Sequence, residues 1–234
     1  MSEHLQLLAI TAASLGFIHT ILGPDHYLPF IVMAKSGNWS GIKTAIITFL
    51  CGLGHVLSSV VLGFIGIALG IAVTSLEAVE STRGNIAAWA LIAFGLVYMV
   101  WGIRKAIKNK PHGHLHLGKI TIHTDPASNS DHVHSLQEQK PNLTPWILFT
   151  VFVFGPCEPL IPLVMYPAAK NNMAGVVMVA GIFSAVTIGT MMVTVLTLRA
   201  GIVLLPLRSL ERFMHAISGA AILICGVSIK FLGL

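Results

Sequence analysis

Residues 5–34 form an apolar stretch longer than one bilayer crossing, yet its middle reads Gly23-Pro24-Asp25-His26-Tyr27-Leu28-Pro29, with His19 one turn upstream. Lipid cannot replace the backbone hydrogen bonds that proline removes, and ionisable groups at membrane depth are costly. Such a stretch is expected to be a broken transmembrane helix whose polar groups face protein, water or a cation. The rest of the chain is read as its support.

A span takes about 20 apolar residues. Six stretches qualify: 5–34, 42–74, 86–103, 146–166, 173–198 and 209–232. Charged residues make up 10% of the chain and mean hydropathy is +0.82, whereas a soluble domain carries about 25% charged residues. The expected fold is an all-α integral membrane protein with the lipid bilayer as its main partner. A large soluble domain is excluded, because the only long polar stretch is 104–144. The net charge of +5 is not read as nucleic-acid binding, since basic residues collect on cytoplasmic loops. The N-terminus lacks a basic region and a cleavage site, so the first span is expected to be uncleaved. Six spans put both termini on one side, with Arg83, Lys170 and Lys230; the remaining Lys and Arg fall on the other. That asymmetry predicts a cytoplasmic 104–144 loop and termini outside, in the cell (inner) membrane.

The two halves look related. The Gly-Pro-Asp-His break in the first span matches Gly155-Pro156-Cys157-Glu158-Pro159-Leu160-Ile161-Pro162 in the fourth. Leu53-Gly54-His55 matches Ile188-Gly189-Thr190, and Phe94-Gly95-Leu96 matches Cys225-Gly226-Val227, in the same order. Three helices per repeat is odd, so the repeats are expected to be inverted: 1–103 and 145–234, joined by the 104–144 loop. Inverted repeats with interrupted helices at matching places point to a transporter's midplane site.

Proline also clashes with the carbonyl four residues earlier. Pro24 and Pro29, and then Pro156, Pro159 and Pro162, are therefore expected to break the first and fourth helices. Ordinary kinks repaired by neighbouring helices would explain the prolines, but not the Asp25-His26 and Cys157-Glu158 pairs beside them. His19 and His26 are seven apart, two helical turns and so one face. His55 sits mid-span behind Gly54, where a neighbour can approach closely. Imidazole, carboxylate and thiolate suit divalent transition metals. The expected ligands are His19, Asp25, His26 and His55, with Cys157 and Glu158 as second-half ligands or gates. Taken singly, His55 reads as a helix–helix hydrogen-bond partner, Cys157 as a packing residue, and Asp25 as an ion partner of His26.

The 104–144 loop carries His112, His114, His116, His123, His132 and His134. Short His-rich tracts read as metal binding, here for capture, on a hairpin expected to turn near Asp125-Pro126. The three cysteines, Cys51, Cys157 and Cys225, form no CxxC, which disfavours a disulfide framework or a zinc ribbon.

The His19-x5-Asp25-His26 and Leu53-Gly54-His55 motifs and the His-rich loop resemble the nickel/cobalt transporters. The closer likeness is to the branch of nickel/cobalt efflux and urease-accessory membrane proteins, whose Pro-Cys-Pro motif the Gly155-Pro156-Cys157 turn resembles. The uptake permeases have four residues between the first His and the Asp-His pair, and an acidic second-half motif where this chain has Cys157-Glu158. The resemblance implies transport of Ni2+ or Co2+ as substrate, with no prosthetic group and no enzymatic activity; Zn2+ and Fe2+ fit the same donors. A metallochaperone or a homo-oligomer is a compatible partner. The alternatives are a membrane thiol–disulfide electron carrier and a metal-binding accessory or sensor subunit that does not transport.

Overall fold

The computed structural model describes residues 3–108, 112–116, 119–123, 144–204 and 208–232. Eight helices account for most of them: α1 Glu3–Leu22, α2 Leu28–Ser36, α3 Gly41–Leu69, α4 Val73–Lys108, α5 Thr144–Phe154, α6 Leu160–Ala169, α7 Met173–Leu204 and α8 Met214–Leu232. Five helical segments are long and apolar enough to cross a bilayer, and a third or less of each span is buried. This is the character of a multi-pass membrane protein. The fourth stretch, expected to be broken at its prolines, is two short helices, α5 and α6, either side of a break, and neither is by itself long enough to count among the five.

Helix α3 shows why the bundle is inside-out. Its buried face carries Thr44, Thr48, Cys51, Gly52, His55, Ser59, Gly63 and Gly66. Its exposed face carries Ile42, Ile46, Leu50, Leu53, Leu57, Val61 and Ile65. Both rows repeat every three or four residues, so polar and small groups face protein while large apolar groups face outward, the arrangement that lipid favours. Ser40 caps the helix by accepting from Lys43 N at 3.2 Å. Gly70, at φ 65°, supplies the left-handed residue that ends it. The second span therefore stops at Leu69, short of the expected Thr74.

Helices α4 and α8 pack most closely. A Cβ at Gly95, Gly102 or Gly219 would fall inside van der Waals contact of the opposing backbone. Helix α4 departs from expectation at its start. It begins at Val73, not near Ile86, and so takes in Glu77, Glu80 and Arg83, which a hydropathy window rejects. Glu80 and Arg83 pair one turn apart, which removes the cost of two lone charges. Arg83 is thus a partly buried helical residue, not the loop cation expected.

The prolines divide into two groups. Pro24 lies in the first break, where a 3-10 turn, Pro24–His26, separates α1 from α2. Pro156 and Pro159 lie in the second break. Pro29 and Pro162 break nothing, because each sits in the first turn of the following helix, where N–H groups lack an intrahelical partner anyway.

In the loop, His112–His116 and Lys119–His123 pair as antiparallel strands, His112 opposite His123. The register sets His116 opposite Lys119, so the strands reverse ahead of the expected Asp125. His132 and His134 lie outside the described residues.

Candidate metal centre

The two breaks and the middle of α3 meet inside the bundle. His26 arrives on the 3-10 turn, His55 on α3, His19 on the last turn of α1 and Cys157 on the loop between α5 and α6. His26, His55 and Cys157 are buried, and His19 is half-buried. The His19 and His26 rings lie 4.6 Å apart, edge to face, and the His26 and His55 rings 5.0 Å apart. Two turns of continuous helix would separate His19 from His26 by about 10 Å along the axis. They meet because the chain breaks at Gly23, so the expected pairing holds for a different reason from shared helical phase.

Hydrogen bonds decide which ring nitrogens face inward. His26 Nδ1 lies 3.1 Å from the Gly23 carbonyl and 3.2 Å from Asp25 Oδ1. Both are acceptors, so Nδ1 carries the hydrogen. His55 Nδ1 lies 3.3 Å from the Phe152 carbonyl and donates to it by the same reasoning. In the neutral rings, each Nε2 then keeps its lone pair, and these two Nε2 atoms stand 3.3 Å apart. Two lone pairs at that distance repel unless a metal cation, or a proton forming an N–H···N hydrogen bond, lies between them. Histidine ligands characteristically donate their second nitrogen to a carbonyl or carboxylate in this way.

Cys157 Sγ is 3.9 Å from His19 Nε2. Ligand atoms of His19, His55 and Cys157 all fall within 4.8 Å of one another. A tetrahedral ion with nitrogens at 2.0–2.1 Å needs an N···N edge of about 3.3 Å, which the His26/His55 pair matches. The mixed edge to sulfur would be about 3.6 Å, so His19 and Cys157 stand slightly wide. The donor atoms that all converge belong to His19, His55 and Cys157, and His26 Nε2 adjoins them through His55. Asp25 lies against His26, and Glu158 is exposed on the wall of the cavity that reaches the histidines.

A cavity of about 480 Å³ reaches the cluster, lined by His19, Asp25, His26, His55, Glu158 and, at the last turn of α8, Lys230. Phe152, which also lines this cavity, packs against Phe30 with ring centroids 4.6 Å apart and the planes tilted by 58°; both are buried. Behind them lie Met33, Trp39, Leu148 and Met191.

Glycines allow these approaches. A Cβ at Gly155 would lie 3.0 Å from His55 Nδ1, and one at Gly54 would lie 2.9 Å from Val153 on α5. Sequence reasoning anticipated the role of Gly54 but missed Glu80 and Arg83, which touch the second break directly. The signal was present in their opposite charges at i, i+3, and in Ser58-Ser59 one turn beyond His55.

No family model, curated protein or solved structure matches this chain.

Proposed function

We propose that the protein is a secondary transporter that carries a divalent transition-metal cation through the His19, His26, His55 and Cys157 site. The observation that carries this reading is the pair of inward-facing Nε2 lone pairs 3.3 Å apart, each fixed by an Nδ1–H bond on its far side. A buried arrangement of that kind suits a metal cation, with a shared proton as the competing occupant. Imidazole with thiolate suits Co2+, Ni2+ and Zn2+ better than Mg2+ or Ca2+, and the resemblance noted above favours nickel or cobalt.

Transport, rather than storage, is supported by the two helix breaks and by a cavity, lined at one end by Lys230 of α8, that reaches the histidines. Six crossings in two inverted repeats, with α1–α2 and α5–α6 as the two broken helices, would let the halves alternate around a fixed site. Asp25 orients His26, and Glu158 lines the approach. The His-rich loop collects metal on the cytoplasmic side.

The thiol–disulfide reading is weaker. All three cysteines are buried and free, and the partner near Cys157 is His19.

The test is metal flux into sealed proteoliposomes, using nickel, cobalt, zinc and iron, with His26→Ala and His55→Ala beside wild type. Saturable flux lost in both variants is expected. Tight binding without flux for any metal would refute transport and favour an accessory or sensing role.

A further inference from the structure

The break between α5 and α6 strands several backbone groups. Pro156 and Pro159 offer no N–H, and the α5 carbonyls at its end have no helical donor ahead of them. One turn of α4 supplies the missing partners. Arg83 Nη2 donates to the Val153 carbonyl at 2.8 Å and to the Gly155 carbonyl at 3.4 Å. Glu80 Oε2 accepts from Cys157 N at 3.2 Å. Glu80 Oε1 takes Arg83 Nη1 at 2.5 Å, so both carboxylate oxygens are engaged.

The same guanidinium reaches α3. It donates to Ser58 Oγ at 2.6 Å and Ser59 Oγ at 3.3 Å, and Ser58 Oγ donates to the His55 carbonyl at 2.7 Å. Helix α4 can sit this close because residue 84 is glycine: a Cβ there would stand 2.8 Å from Pro156 Cγ.

We propose that Glu80 and Arg83 are positioning residues for the metal site, holding the Cys157 thiol in register with the histidines by tying the α5/α6 break to the turn of α3 that carries His55. The inference rests on the metal-transport reading for its purpose, but the geometry it asserts stands apart from metal. The pair is electrically neutral, which leaves the thiolate's charge to be met by the bound cation.

Two readouts test it. The first needs no metal: alkylation of Cys157 by a membrane-permeant maleimide, in a Cys51→Ala/Cys225→Ala background. Glu80→Gln and Arg83→Lys are expected to raise the rate by about tenfold or more, as the break loosens. The second is the spectrum of Co2+-loaded detergent-solubilised protein. Both variants are expected to lose the sulfur-to-cobalt charge-transfer band and keep the ligand-field bands of imidazole-bound cobalt, with Cys157→Ser as the reference. Co2+ affinity should fall by about 10–100-fold. Should a single variant fail to fold, the neutral pair Glu80→Gln/Arg83→Gln takes its place, since it buries no unpaired charge. Unchanged alkylation in folded variants overturns the proposal. Wild-type protein that binds no Co2+ would sink the metal reading alone, and the alkylation rates would still decide the positioning role.

Discussion

Removing the His55 imidazole tests the site most directly. His55→Ala deletes one of the two Nε2 atoms that stand 3.3 Å apart. A fully formed four-ligand zinc-type site is worth about 10–16 kcal/mol, so one equal share is about 3 kcal/mol. At 1.4 kcal/mol per decade, affinity should fall about 100-fold. The variant also removes one of the two donors to the Phe152 carbonyl, the other being Gly155 N, a structural loss of at most about 1 kcal/mol. That loss is common to the loaded and empty protein, so it cancels from the metal affinity. His55→Gln separates the two effects further, because glutamine keeps an N–H for that carbonyl and offers no imidazole lone pair. The assay is equilibrium competition with a chromophoric chelator in detergent, at fixed pH, for Co2+, Ni2+ and Zn2+. Both variants should lose about two decades of affinity. Affinities within about threefold of wild type in both would refute the assignment of His55 as a ligand.

Other changes discriminate finer roles. Asp25→Asn keeps an acceptor for His26 Nδ1 but removes the charge, and is expected to weaken binding by about 10–100-fold in the same competition assay; a complete loss would instead make Asp25 a direct ligand. Cys157→Ser should lower Co2+ and Zn2+ affinity while sparing some flux, and full retention of flux would count against any thiol chemistry. Phe152→Ala removes a ring that packs on Phe30 and lines the cavity, and the expected result is an ion leak across proteoliposomes that does not saturate with metal. Gly102→Val forces a side chain into the α8 backbone, costing about 1–3 kcal/mol of overpacking, to be read as earlier loss of monodisperse protein on heating.

The fold was legible where physics is local. Partition into a bilayer depends on composition over about 20 residues, and five such helices are present. The breaks were legible for a similar reason, since a proline and an aspartate inside an apolar run conflict with lipid whatever surrounds them. Local reasoning misjudged Pro29 and Pro162, because a proline's effect depends on whether it falls inside a helix or at its first turn. It also started α4 too late, because hydropathy treats Glu80 and Arg83 as two penalties when pairing makes them one neutral unit.

His19, His26, His55 and Cys157 stood out by residue type, as side chains of metal-ligating chemistry inside apolar segments. The sequence by itself could not orient them. His19 and Cys157 are 138 positions apart, and Cys157 and Glu80 are 77 apart; only packing of the helices sets such distances. The tautomer of each histidine follows from a carbonyl or carboxylate contributed by the break beside it or by another helix. Hydropathy along the chain determines which segments enter a membrane. Only the tertiary structure decides which lone pairs converge, because that depends on where the folded backbone places its acceptors.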